Sequence, residues 1–434
     1  MSDPSTAPAE VRPPPPAVYR WLVLGACSLA MFGCYYTFDA LYPVAPLLEK
    51  AFGVTGEQLG QLDTSYNVAA LLTLIAGGVL IDRIGMATSA ILFAAVGATG
   101  TLLIAVLPAL FPATPWAGMM VGRFLLGIGS ELFIVAATTV VGRWFKGTEI
   151  SFALAIQLLV ARGGSWLADQ SPDLFKPLFA GWQPPLLLAA ALGGGWLVFA
   201  VAYAALERSA AGRYAVASAG ATDKLVLSDL VRFNLGYWWV VGLCVAFYAS
   251  IFPFRTFANL FLIDAHGVSP ERAGELKSIL PMFSMIGMPI IGLVVDRVGR
   301  RALFMLVGSA LLVPPFLLMA YTRLPLELSM GMLGLAFAMV PAVLWPAVTY
   351  LVPVERLGSA YALMTFCQQL AWAGMAWGMG AVKDAGHASA ANPAGWLPVM
   401  WMLAVLSALG FVFSFLLWRS ERGPNAHGLE AARS

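Results

Sequence analysis

Two stretches of sequence decide how this chain folds: Gly78-Val-Leu-Ile-Asp82-Arg83-Ile-Gly85 and Gly292-Leu-Val-Val-Asp296-Arg297-Val-Gly299-Arg300-Arg301. They lie about half the chain length apart. Each follows one long apolar run and precedes another, so each reads as a tight polar turn between two apolar helices. A second echo, Phe152-Ala-Leu beside Tyr361-Ala-Leu, repeats at nearly the same offset. Two patterns sharing one spacing indicate a duplicated chain, the arrangement found in many membrane carriers. Within the turn, glycine permits a positive φ or a close helix approach. The Asp82 or Asp296 carboxylate can cap a helix N-terminus across an interface. Arg83, Arg297 and Arg300 can pair with acids or with anionic lipid. A single basic turn needs no special role. Its repetition predicts that Asp82, Arg83, Asp296, Arg297 and Arg300 act in gating or at an interface between halves.

Outward from these turns, the composition is that of a membrane protein. Of 434 residues, 60% are hydrophobic and 11% charged, against about 25% charged in soluble domains. A water-exposed globular protein is thereby excluded. So is a nucleic-acid partner, which requires a strongly basic surface that so charge-poor a chain does not supply. A membrane-spanning helix needs ~20 apolar residues, and continuous runs of that length favour helices over a barrel of alternating strands. Twelve spans are expected, near 19–48, 56–81, 86–110, 114–143, 149–178, 183–206, 235–264, 272–295, 301–322, 326–351, 357–383 and 394–418. The fold class is therefore an all-α membrane protein with twelve transmembrane helices in two pseudo-symmetric six-helix bundles. Its expected parts are a disordered N-terminal tail (1–18), the first bundle (19–206), a linker (207–234), the second bundle (235–418) and a C-terminal tail (419–434). Sixteen of the 25 Lys and Arg residues fall on the side of the termini, six on the other, and Arg123, Arg162 and Arg255 lie within spans. The basic excess places both termini, both tails and the linker in the cytoplasm.

Charges inside the spans are costly, about 2.5–3.5 kcal/mol each at a helix centre, so their positions are informative. Glu131 on the fourth span and Arg162 on the fifth lie twelve and thirteen residues from the inner ends near 143 and 149. At 1.5 Å per residue both sit ~18–20 Å deep. They either pair with each other to lock two helices, or face a cavity and clamp a zwitterion. In the second case Glu131 takes an ammonium, and the planar fork of Arg162 takes a carboxylate. Tyr36, Gln157, Trp345 and Gln368, with Tyr66 and Gln369, are further candidates for lining such a cavity. Asp39 and Arg255 fall toward the outer ends of the first and seventh spans; solvation there is the plainer expectation, an outer-gate pair the alternative. Asp169 reads as a helix-end residue. No intramembrane histidine relay is expected, since His266, His387 and His427 lie in loops or tail. Cys27, Cys34, Cys244 and Cys367 all lie in apolar runs, so neither a metal site nor a cofactor is expected. There is no phosphate-binding loop and no activated nucleophile, and Ser130 has no histidine beside it. These absences favour a carrier over an enzyme.

The second turn matches completely, and the first as far as Gly85, the loop signature G-x-x-x-D-R/K-x-G-R/K-R/K of the major facilitator superfamily; Met86-Ala87 replaces the basic pair. Arg123-Phe-Leu-Leu-Gly127-Ile-Gly129 resembles that superfamily's fourth-helix signature. More narrowly, Phe252-Pro-Phe254, Leu344-Trp345-Pro346 and Val352-Pro-Val-Glu-Arg-Leu357-Gly358-Ser-Ala-Tyr361 resemble its lysosomal dipeptide-uniporter branch. The resemblance implies alternating access, with an acid and an arginine at Glu131 and Arg162 binding the two termini of a dipeptide. It thus predicts a monomeric secondary transporter of small zwitterions in a lipid bilayer, working without an obligatory ion gradient. A proton-coupled organic-anion carrier or drug exporter is the alternative. The lysosomal members carry an acidic dileucine signal in the N-terminal tail. None occurs in Met1–Tyr19, and no Asn-x-Ser/Thr sequon occurs anywhere. The expected location is therefore a cell membrane, specifically a bacterial inner membrane, without an accessory subunit.

Overall fold

The structure, a computed structural model, describes residues 13–145, 149–211, 213–216, 233–353, 356–424 and 426–431; the side chains of 74–79, 82 and 151 lie outside that description. The first half contains α1 (Ala17–Asp39), α2 (Ala45–Phe52), α3 (Gly56–Ile84), α4 (Met86–Leu110), α5 (Pro115–Trp144), α6 (Ile150–Leu174) and α7 (Gln183–Ala210). The second contains α8 (Leu235–His266), α9 (Pro270–Val298), α10 (Arg301–Ala310), α11 (Val313–Tyr321), α12 (Leu326–Leu351), α13 (Leu357–Ala385) and α14 (Leu397–Ser420). These fourteen helices form twelve spans, because α2 continues the first span and α10 with α11 make up the ninth. Nine spans among the described residues are long and apolar enough to cross a bilayer. The polar α13, which carries Gln368, Gln369, Lys383 and Asp384, is not one of them. We call the end bearing α1's start and α14's finish the inner end, and the opposite end the outer.

Two spans differ from the uninterrupted rods read from the sequence. The first bends after Asp39 into a short 3-10 turn, Tyr42–Val44, before α2. Pro43 and Pro46 start these two segments, where a missing N–H costs nothing. The ninth breaks between Ala310 and Val313. Pro314 and Pro315 supply no N–H to the preceding turn, which interrupts the helical ladder.

Tight helix crossings set the cavity walls. Inside the first half, a Cβ on Gly97 would collide with the Trp196 ring, and one on Gly129 with the Phe93 carbonyl. Between the halves, α3 crosses α13 and α6 crosses α9. The first crossing brings Gly56 and Gly60 of α3 against Ala376 and Gly380 of α13, so close that a Cβ on Gly60 would overlap the Ala376 carbonyl. Small residues four apart on both helices permit backbone contact of this kind. At the second crossing, Gly274 lies against the Asp169 carbonyl. The two crossings between the halves lie toward the outer end, where they close the halves against each other.

Candidate functional site

The fourth-helix signature explains one wall. Arg123, Gly127 and Glu131 are spaced by four and share a face of α5. A Cβ on Gly127 would meet the Tyr66 carbonyl and Ala69 of α3, so glycine lets α3 approach. That approach allows the Tyr66 hydroxyl to donate to Glu131 Oε1 at 2.8 Å. Two turns outward, the buried Arg123 pairs with Asp63 at 2.6 Å and donates to the Phe38 carbonyl at 3.0 Å. Its guanidinium also lies 5.0 Å from the Phe38 ring and 5.2 Å from the Tyr66 ring. Asp63 was not anticipated, because a lone acid about two turns from a helix start resembles an ordinary N-terminal charge.

Glu131 and Arg162 line one central cavity of about 340 Å³. No ion pair within 4.0 Å joins them among the described residues. Arg162 instead lies over aromatic faces, 5.4 Å from the Tyr35 ring and 5.0 Å from the Phe337 ring. Its buried Nε has no protein partner. Trp345 and Gln368 also line the cavity. Trp345 is fixed by a 2.9 Å hydrogen bond from its indole N–H to the Tyr248 hydroxyl. Tyr36 does not reach the cavity. Its hydroxyl meets Ser171 at 2.8 Å, and its neighbour Tyr35 takes the wall position, since adjacent residues on a helix point about 100° apart. Gln157 is buried but is not among the lining residues either. Tyr35, Tyr248, Phe252 and Trp372 were missed. The spacing Tyr248, Phe252, Arg255 marks one face of α8, a pattern that aromatic-rich apolar runs conceal.

The outer end of the cavity is closed by aromatic rings and then by charges. Phe252 and Trp372, one from each of two second-half helices, have centroids 4.2 Å apart, with Phe38 of α1 at 6.0 Å from Trp372. Beyond them Arg255 of α8 pairs with Asp39 of α1 at 3.0 Å and with Asp169 of α6 at 3.4 Å. Lys277 of α9 pairs with Asp169 at 2.8 Å. Thr256 donates to Asp63, joining the Arg123 pair to the second half. Two expectations are corrected here. Asp39 and Arg255 are buried and paired rather than solvated, and Asp169 is the hub of a buried ion network, with the fully buried Lys277, rather than a helix-end residue. The physical reason is the α6–α9 crossing, which removes these groups from water together, so each is offset by an opposite charge.

Around this core, further bonds tie the halves at the rim. Asp384 of α13 accepts the backbone N–H groups of Gly56 and Glu57 at 2.8 and 2.7 Å, a carboxylate on a helix N-terminus. Lys383 pairs with Glu49 at 3.0 Å. In the outer loop, Lys176 pairs with Glu271 at 2.7 Å, and that hydrogen bond holds its ammonium above the ordinary lysine range.

The duplicated turns lie at the inner end. Gly85 and Gly299, the same motif position in each half, have φ of 79° and 72°, the backbone requirement that the glycines signalled. Asp82 lies outside the described side chains. Arg83, Arg297 and Arg300 are exposed. Arg300 itself is left-handed, with φ 52°. Asp296 pairs at 3.2 Å with Arg301 of its own half. Arg301 is buried under the Tyr350 ring at 4.7 Å, and its N–H donates to Leu429 of the tail at 2.8 Å.

Two six-helix halves, a charged central cavity and a closure at the outer end are the architecture of a secondary transporter. The Major Facilitator Superfamily profile matches residues 27–376, and the chain belongs to that superfamily. Within it, the chain is 29% identical over 421 residues to the human lysosomal dipeptide transporter MFSD1, covering 93% of this chain and 88% of that protein. To the Bos taurus MFSD1 it is 30% identical over 366 residues, covering 81% and 77%. In fold it is similar to a bacterial homologue of the human lysosomal transporter Spinster, inward-facing and unoccupied. The TM-score there is 0.73 at 16% identity, covering 94% of this chain and 98% of that one. The nucleoside transporter NupG gives 0.72 at 14% identity, covering 92% and 99%. Family and relatives point to a multi-pass membrane transporter of a small molecule, not an enzyme.

Proposed function

We propose that this chain moves small zwitterionic solutes, dipeptides first, by alternating access, with Arg162 binding the carboxylate and Glu131 the ammonium. One observation carries the reading: an acid and an arginine at mid-depth line the same cavity, yet do not pair with each other. Unpaired charges in a low-dielectric site are costly, and a ligand bearing both opposite charges removes that cost at once. The naming of the MFSD1 relatives as dipeptide transporters supports the same assignment. Tyr66 orients the Glu131 carboxylate, while ring faces hold Arg162 without consuming its donors. The protein works as a monomer in a cell membrane, the bacterial inner membrane we expect, with both termini cytoplasmic, an orientation supported by the basic excess on the inner side. The structure is then the inward-facing state, and the inner-turn residues Asp82, Arg83, Asp296, Arg297 and Arg300 close the opposite end in turn.

The test is thermal stabilisation of purified protein by a dipeptide panel, followed by liposome uptake with and without a pH gradient. Ala-Ala stabilises the wild type, and both Glu131→Gln and Arg162→Ala abolish the effect. If both variants keep it, the clamp is wrong. If a simple carboxylate binds as well as Ala-Ala and depends on Arg162 alone, the protein is an organic-anion carrier.

A further inference from the structure

A second cavity, about 370 Å³, lies where α6, α9 and α12 meet, on the inner side of Arg162. That volume is ample for a large side chain, since pockets for drug-sized ligands run roughly 300–1,000 Å³. Arg162, Tyr248 and Trp345 border both this annex and the central cavity, so the two spaces share a wall. The remaining lining is apolar, chiefly Leu158, Met285, Met288, Pro341 and Pro346, and includes no acidic side chain. Ser284 offers the annex no free donor, because its hydroxyl is turned back to the Pro281 carbonyl at 2.8 Å.

We infer that this annex is a side-chain subsite, and that the favoured cargo is a dipeptide with a large apolar or aromatic C-terminal residue. The inference rests on the clamp proposed above. In a dipeptide, the C-terminal side chain branches from the carbon that bears the carboxylate. A carboxylate on Arg162 therefore sets that side chain beside the wall Arg162 shares with the annex. The N-terminal side chain stays in the central cavity, near Glu131 and Tyr66. Burying an aromatic ring against Leu and Met is favoured in proportion to the apolar area removed from water, and the flexible methionines adapt to its shape. A second carboxylate or ammonium in the annex finds no matching charge beyond Arg162 itself.

Sequence-isomeric dipeptides test this without changing composition. Ala-Phe is expected to bind about tenfold more tightly than Phe-Ala and Ala-Ala in thermal-shift titrations. In Ala155→Phe, which fills the annex from α6, the ratio of Ala-Phe to Ala-Ala affinity falls to about one. Ala342→Phe, which fills it from α12, does the same and guards against misfolding of the first variant. If Ala-Ala binds but Ala-Phe gains nothing over it, or if Phe-Ala binds better, the annex assignment fails while the clamp stands. If no dipeptide binds, the clamp fails and the annex assignment with it. If a lysolipid stabilises the wild type but not Ala155→Phe, with no preference for Ala-Phe, the annex belongs to an acyl chain and the proposal is overturned.

Discussion

The outer gate and the central cavity sit next to each other and treat charge in opposite ways. In the gate, Asp39, Asp63 and Asp169 face Arg123, Arg255 and Lys277, all buried, and each is in an ion pair with another member. In the cavity, Glu131 and Arg162 leave each other unpaired. Buried ion pairs contribute little net stability, because desolvation offsets most of their attraction. A balanced network can therefore open to water and re-form at modest net cost, as alternating access demands. The cavity charges gain most only when something else arrives. Partnered charge reads as mechanism, and charge held in reserve reads as binding.

The largest effect that would break this contrast comes from Asp169. Its removal in Asp169→Ala leaves Lys277 buried beside Arg255 with no acid near it except Asp39. Removing one partner of a buried pair costs about 3–5 kcal/mol. The equilibrium is expected to leave the outer-closed state by more than about a hundredfold, since each 1.4 kcal/mol is tenfold. Labelling of Ser165→Cys by an impermeant maleimide from the outer side, in a background without the native cysteines, measures this. Unchanged labelling would show that the network is not the lock.

The next effect has the opposite character. Arg162→Ala is expected to weaken Ala-Ala binding about a hundredfold, while the melting temperature without ligand stays the same or rises, because no protein partner is orphaned. Arg162→Lys retains the charge but loses the planar fork, and recovers binding only to within about tenfold of wild type. Thermal-shift titration reads both quantities in one experiment. A fall in the unliganded melting temperature as large as that of Asp169→Ala would erase the distinction between the two regions.

How much of this was legible in the sequence follows from the range of each signal. The spans, the duplication and the turn glycines are local patterns, and Gly85 and Gly299 do adopt the positive φ their positions suggested. Glu131 and Arg162 could be placed in depth by counting along two helices, and both line the cavity. Rotation about a helix axis was not legible. Tyr36 was a candidate where Tyr35 lines the wall, because an apolar run with a weak period does not say which face turns inward. The gate was hidden for another reason. Asp63, Asp169 and Lys277 lie near helix ends, where acids and lysines are ordinarily solvated. Contacts between segments far apart in the chain bury them, Asp63 against Arg123 and Thr256, and Asp169 with Lys277 at the α6–α9 crossing.

A smaller change tests the crossing itself. In Gly60→Val the new side chain would overlap the Ala376 carbonyl, and over-packing of this sort costs about 1–3 kcal/mol. Outer-side labelling of Ser165→Cys should rise about tenfold, with Ala-Ala affinity in the outward state preserved. The direction matches Asp169→Ala, and the size is smaller because backbones can part slightly while the ion network stays intact. A rise equal to that of Asp169→Ala would show that helix contact, not charge, holds the gate.

The smallest effect should carry the opposite sign. Asp296 is 58% exposed and pairs at 3.2 Å with Arg301 inside its own half, so among the described residues it makes no ion pair between the halves. Exposed ion pairs are worth about 0–1 kcal/mol. If the inner turns engage across the halves only when the inner end is shut, Asp296→Asn disfavours that state alone. Outer-side labelling should then fall, by less than about fivefold, where both gate variants raise it. Asp169→Ala combined with Asp296→Asn should label slightly less than Asp169→Ala alone, because the two changes act at distant ends and add. If Asp296→Asn instead raises labelling, the duplicated turn supports the outer-closed state, and its role as the opposing gate is refuted.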